Sequence, residues 1–182
     1  MDDAIFNRYI EQFELPLNKA IKTFSKGMQM KASLAMALSH HAELIIMDEP
    51  TAGLDPIFRR ELLELLHELM LDGKRTIFFS THITTDLDRI ADYIAFIQEG
   101  KLVFHQSVHD IAENYALVKG GVDLLDRDTE KAFVHIQRAP TGFEALTDNI
   151  KEVKETFGET VVIERASLEE IMYHMKGSKS YV

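Results

Sequence analysis

The stretch LIIMDEPTAGLD, residues 44–55, admits few local structures. Its apolar run, Leu44 to Met47, is too short for a helix and lies between polar stops, so it reads as a buried strand of the parallel type. The strand closes on two adjacent acids, Asp48 and Glu49, ahead of Pro50 and a small, turn-prone segment. A second apolar run, TIFFS at residues 76–80, reads the same way, with His82 just beyond it. Between the two, Asp55-Pro56 opens a helix, Asp as N-cap and Pro at the first helical position. Phe58, Leu62, Leu65, Leu66 and Leu69 follow at helical spacing, and Asp72-Gly73 ends the helix. Strand, helix, strand, helix in alternation marks an α/β layer architecture with mainly parallel core strands.

The flanking segments fit around this unit. Residues 3–12 read as an amphipathic helix with Ile5, Phe6, Tyr9 and Ile10 on one side, broken near Pro16. Residues 26–40 read as a helix capped by Ser25, with Ala32, Leu34, Ala35 and Leu38 turned inward. After a helix around residues 85–91, YIAFIQ and KLVFHQ flank Glu99-Gly100 in the pattern of a two-residue β-hairpin. Gly120-Gly121 reads as a boundary. Beyond it KAFVHI and TVVIE read as strands, and capping boxes at Thr141 with Glu144 and at Ser167 with Glu170 each announce a helix, which together predict a small α+β appendage.

Composition narrows the function. Thirty acidic against twenty basic side chains give a formal charge of −10, which argues against general affinity for nucleic acid or an anionic membrane surface. There is no cysteine, so disulfides and thiolate zinc sites are excluded. No run approaches the roughly 18 apolar residues of a membrane span.

In open α/β sheets ligands sit beyond the carboxyl ends of the strands, which singles out Asp48, Glu49 and His82. One carboxylate there can hold Mg²⁺ together with phosphate oxygens, a second can polarise an attacking water, and a neighbouring histidine can hydrogen-bond a transferring phosphate. Singly, each has a plainer reading: the acids cap the turn before Pro50 and His82 starts a helix. A second segment, FSKGMQ, places Ser25, Lys26 and Gly27 at a helix N-terminus, where outward N–H groups suit an anion. A cation in that first turn opposes the helix dipole by roughly 0.3–1 kcal/mol, so Lys26 makes better sense opposite a phosphate. The plainer reading is a solvated lysine beside an ordinary serine cap.

Together these residues resemble the ATP-binding cassette (ABC) ATPases, the nucleotide-binding subunits of ABC transporters. FSKGM is similar to the family's signature motif, LIIMDE to its Walker B strand, AGLD to its D-loop, and His82 in STH to its switch histidine. The order and spacing match from about residue 24 to 106, and the Lys-Gly-Met form of the signature is similar to bacterial multidrug and bacitracin-type exporters. The resemblance implies a partial P-loop NTPase fold with ATP and Mg²⁺ as cofactors. It makes Asp48 the Mg²⁺-associated carboxylate, Glu49 the catalytic base and His82 the γ-phosphate contact. Asp55 would bridge two subunits, and Ser25, Lys26 and Gly27 would meet ATP held by a second ATPase subunit in a head-to-tail dimer. It further implies a transmembrane permease partner, no nucleic acid, and a cytoplasmic location at the inner face of the membrane.

Lys26 stands where the signature has its first glycine and Met28 where it has glutamine. A P-loop, G-x-x-x-x-G-K-[ST], is absent: neither Gly73-Lys74 nor Gly100-Lys101 has the required glycine before or Ser/Thr after. The expectation is therefore the carboxyl-terminal part of a cassette, inactive alone, with an exposed apolar sheet surface. Its expected divisions are residues 1–23, a remnant of the helical subdomain; 24–118, the ATPase portion; and 119–182, the appendage. The alternative is a non-catalytic cassette that completes the ATP site of a partner.

Overall fold

The computed structural model describes residues 1–177. By internal contacts the chain divides into two compact units, Met1–Ile90 and a second that begins at Ala91.

The first unit contains helix α1 (Asp3–Gln12), helix α2 (Lys26–Leu38), strand β1 (Leu44–Asp48), helix α3 (Pro56–Met70), strand β2 (Thr76–Ser80) and helix α4 (Thr84–Ile90). Asp2 caps α1 by accepting from the amides of Ala4 and Ile5, and Asp55 caps α3 through the amides of Ile57 and Phe58, with Pro56 in the first turn. Strands β1 and β2 pair in parallel, Leu44 opposite Thr76 and Asp48 opposite Ser80. The core joins Leu62, Leu63, Leu66 and Leu69 of α3 to Leu34, Ala35 and Leu38 of α2, to Ile45, and to Tyr9 and Ile10. Leu63 takes the core place expected for Phe58 and Leu65, which are half-buried.

The strands are parallel as expected, but they are buried on one face only. Helical cover reaches Ile45, whereas Leu44 is 55% exposed, Ile46 69% and Phe78 62%. Alternation along each strand puts these side chains on one face, so the two-stranded sheet presents a continuous apolar surface.

The second unit begins with strands β3 (Tyr93–Gln98) and β4 (Lys101–Ser107), an antiparallel hairpin. Glu99 at φ +50° and Gly100 at φ +77° form its two-residue turn, both in the left-handed region a primed turn requires. Helix α5 (Val108–Asn114) leads to an antiparallel sheet in the order β6-β7-β5-β8, made of β5 (Ala116–Gly120), β6 (His135–Ala139), β7 (Gly142–Thr147) and β8 (Val162–Arg165). Helices α6 (Ile150–Phe157) and α7 (Leu168–Gly177) complete it. Val118, Phe143, Ala145, Val153, Phe157 and Val161 form one core cluster.

Three expectations need correcting in this half. The helix announced by Thr141 and Glu144 is strand β7. Thr141 closes a turn after Pro140, and Phe143 and Ala145 are buried at strand period against β5. The capping pair that operates is Asn149 with Glu152: the Asn149 side chain accepts from the Glu152 amide at 3.2 Å and donates to its carboxylate at 3.1 Å. In KAFVHI the strand starts only at His135, because residues 129–132 form a 3-10 turn. Third, the contact boundary falls at Ile90/Ala91 rather than at Gly120-Gly121, since Ala116–Gly120 pairs with two strands of the second unit's sheet. The box at Ser167 with Glu170 forms as expected, the Ser167 amide donating to Glu170 at 2.7 Å and its hydroxyl accepting from the Glu170 amide at 3.2 Å.

His174, 1% exposed on α7, lies with its Nδ1 3.2 Å from Nδ1 of His135 on β6. Burial, then the neighbouring His135, holds its pKa below the usual histidine value, and Glu144 only partly offsets this. The unfolded chain therefore binds the proton more readily than the folded one. The stability this contributes is present above about pH 6.5 and is lost as pH falls below it toward the lowered folded value.

Two outcomes follow. Thermal melts across this interval should show a melting temperature that falls with acidification, and less steeply in His174→Gln; equal slopes would contradict the assignment. Ile46→Thr with Phe78→Thr, which keeps strand propensity, should reduce concentration-dependent association in sedimentation velocity, whereas undiminished association would exonerate this face.

Candidate functional site

Parallel pairing brings the carboxyl ends of β1 and β2 side by side. At that edge the Ser80 hydroxyl donates to the Asp48 carboxylate. The Glu49 amide donates to the Ser80 carbonyl at 3.1 Å and lies 3.2 Å from its hydroxyl. These bonds anchor the backbone of Glu49, which stands at φ +46°, a region costly for a residue with a side chain. From there the Glu49 carboxylate accepts from Nδ1 of His82 at 2.8 Å. The two side chains are 36% and 73% exposed, so their attraction contributes little to stability and faces solvent. Asp48, Glu49 and His82 thus share one edge of the sheet.

The second candidate group packs elsewhere. Ser25 caps α2, accepting from the Met28 amide at 3.2 Å. Gly27 packs closely, since a Cβ there would stand 3.2 Å from the Phe58 ring, which would have to shift by a few tenths of an ångström to admit it. Lys26 reaches over Gly53, whose φ of +71° forms the turn between Glu49 and Asp55. Lys31 lies 4.6 Å from the centre of the Phe58 ring, a cation–π contact. The signature-like segment is therefore seated on residues 53–58. Among the described residues no hydrogen bond or ion pair joins Ser25, Lys26 or Gly27 to Asp48, Glu49 or His82. Asp55 spends one carboxylate oxygen on capping α3, at 3.1 and 3.0 Å from the Ile57 and Phe58 amides.

One group is invisible to the sequence pattern. Asp86 on α4 is 1% exposed and takes a hydrogen bond from Thr51 and an ion pair from Arg59. An acid in a first helical turn reads as an ordinary dipole-favourable residue. Its partners lie 35 and 27 residues away in sequence, beyond the reach of any short-range signal.

The donors at the strand ends suit a hard cation. Asp48 offers carboxylate oxygen beside a hydroxyl, a set that fits Mg²⁺ completed by water and phosphate, and among the described residues no cluster of three ligating side chains forms a closed metal cage. Among the same residues no helix is long and apolar enough to cross a membrane.

Comparison with known proteins places this arrangement. A family profile described as "AAA domain, putative AbiEii toxin, Type IV TA system" matches residues 7–88, less than half of the chain. A solved ATP-binding subunit of an ABC transporter superposes with a TM-score of 0.54 at 29% identity, covering 62% of this chain and 49% of that one. The fold is therefore that of ABC ATPases within the P-loop NTPase class, combining parallel and antiparallel sheets. Among curated proteins, the bacitracin transport ATP-binding protein BcrA of Bacillus licheniformis is 44% identical over 47% of this chain and 28% of its own length. The lantibiotic transport ATP-binding protein SrtF of Streptococcus pyogenes is 40% identical over 53% of this chain and 41% of its own. Over these matched segments the chain is similar to the ATP-binding proteins of ABC transporters. It spans less than half the length of the curated relatives it matches.

The left-handed backbone of Glu49 has a measurable consequence. Glu49→Gly should be more stable than Glu49→Ala by about 1 kcal/mol, because only glycine adopts that region without steric cost. Urea titration of the two variants reads the difference directly, and a more stable alanine variant would contradict the geometry.

Proposed function

We propose that the chain is part of an ATP-hydrolysing subunit of an ABC-type exporter, its P-loop contributed by sequence outside these 182 residues. The observation that carries this reading is the convergence of Asp48, Glu49 and His82 at the carboxyl ends of β1 and β2, where a nucleotide's phosphates lie in open α/β sheets. The apolar face of Ile46 and Phe78 supports it as the surface against which the P-loop-bearing segment would pack.

In this reading Asp48 holds Mg²⁺ alongside the nucleotide phosphates, with Ser80 orienting its carboxylate. Bound there, Mg²⁺ supplies neutralisation of the charge on the phosphate oxygens. Glu49 accepts the proton of the attacking water at its carboxylate. His82 donates from Nδ1 to Glu49 and is the residue that contacts the γ-phosphate. Ser25, Lys26 and Gly27 at the start of α2 present their side of the protein to ATP held by a second ATPase subunit, head to tail, while Asp55 and the Gly53 turn meet that subunit across the dimer. The transport names of its relatives support a transmembrane permease as the further partner and the inner face of the cell membrane as the working location. On this reading the chain alone does not turn over ATP.

The test is a subunit in which an upstream P-loop accompanies this segment. Glu49→Gln should lower ATP turnover by a factor of about 10²–10⁴ while nucleotide binding persists. Undiminished turnover would remove Glu49 from the proton-accepting role.

A further inference from the structure

We propose that Asp86 is a positioning residue that holds Glu49 against His82 by clamping the loop after Glu49 to the helix after His82. The proposal takes from the reading above only that Glu49 and His82 form the reacting pair.

The two oxygens of the Asp86 carboxylate serve different segments. Oδ2 accepts from the Thr51 hydroxyl at 2.6 Å, two residues beyond Glu49. Oδ1 accepts from Arg59, from Nε at 2.8 Å and Nη2 at 2.7 Å, and Arg59 donates again to the Thr85 hydroxyl at 2.9 Å. Arg59 lies one turn into α3, whose N-cap is Asp55. One buried carboxylate therefore ties together the Glu49 loop, the start of α4 just past His82, and the helix that carries Asp55.

Energetics favours a positioning role over a stabilising one. A buried ion pair is weak as a source of stability, because desolvating its charges offsets most of the attraction. It is strong as a geometric constraint, since the buried carboxylate tolerates no unpaired arrangement. The Glu49–His82 bond needs such a constraint. It joins two exposed side chains that cannot hold each other in place, and it starts from a left-handed backbone that persists only where the surroundings over-determine it. Thr51 and Asp86, each 1% exposed, form the rigid layer beneath.

The experiment reads the imidazole of His82 in the ¹⁵N-labelled chain by long-range ¹H–¹⁵N correlation, at a pH where the same spectrum shows the ring carrying a single proton. Donation to Glu49 should hold the proton on Nδ1, away from the mixture seen in an unstructured histidine peptide measured alongside. In Asp86→Asn and in Thr51→Val the signal should revert to the peptide's mixture, and Thr51→Ser, which restores the hydroxyl, should recover the wild-type signal. An Asp86 with a merely structural role would lower the melting temperature and leave the His82 signal unchanged. Retention of the Nδ1 tautomer in folded Asp86→Asn overturns the proposal, as does its retention in Thr51→Val should the asparagine variant not fold. No nucleotide enters this measurement, so its result is independent of whether Glu49→Gln abolishes turnover.

Discussion

The parallel register of β1 with β2 is the constraint on which the first unit's chemistry depends. With Leu44 opposite Thr76, Asp48 falls opposite Ser80, and the residues just past each end, Glu49 and His82, come within hydrogen-bond reach. A shift of one residue would turn every side chain of the strand to the other face. It would bury Ile46 in place of Ile45 and carry Asp48 away from the Ser80 hydroxyl. The core of α2 and α3 around Ile45 therefore fixes the polar edge as well as the apolar interior.

That core explains why a two-stranded sheet holds its place. Leu62, Leu63 and Leu66 of α3 are almost fully buried, and each contributes about 1.5–3 kcal/mol by leaving water. Strand pairing alone would be marginal at two strands. The helices cover one face, the chemistry gathers at the carboxyl end, and the other face stays apolar and open. Such a surface suits a docking segment more than water, and it ties the exposed positions Ile46 and Phe78 to the same functional reading as Asp48 and Glu49.

Much of this was legible because short-range signals and tertiary packing agree. The Asp55-Pro56 start of α3, the Ser25 cap of α2, and the Glu99-Gly100 hairpin turn are each set by residues within a few positions, and the structure realises them. Failures came where a local signal competed with a longer-range one. Thr141 and Glu144 have the spacing of a capping box, but Phe143 and Ala145 bury at strand period against β5, and pairing prevailed. The burial of Asp86 was illegible for a different reason. Its partners, Thr51 and Arg59, lie 35 and 27 residues away in sequence, and nothing near Asp86 marks it as anything but a solvated helix acid. An apolar strand reads alike whether or not its second face is covered, so the open face of β1 was expected only through the family resemblance and not from the strand's own pattern.

The register of β1 on β2 is the claim most directly open to measurement. The chain has no cysteine, so paired substitutions report without interference. Ile46→Cys with Phe78→Cys, directly opposed on the open face, should form an intramolecular disulfide readily in dilute protein under mild oxidation. Ile46→Cys with Ser80→Cys, offset along the strands, should close far more slowly. If the offset pair closes faster, the register is wrong, and Asp48, Glu49 and His82 do not share an edge.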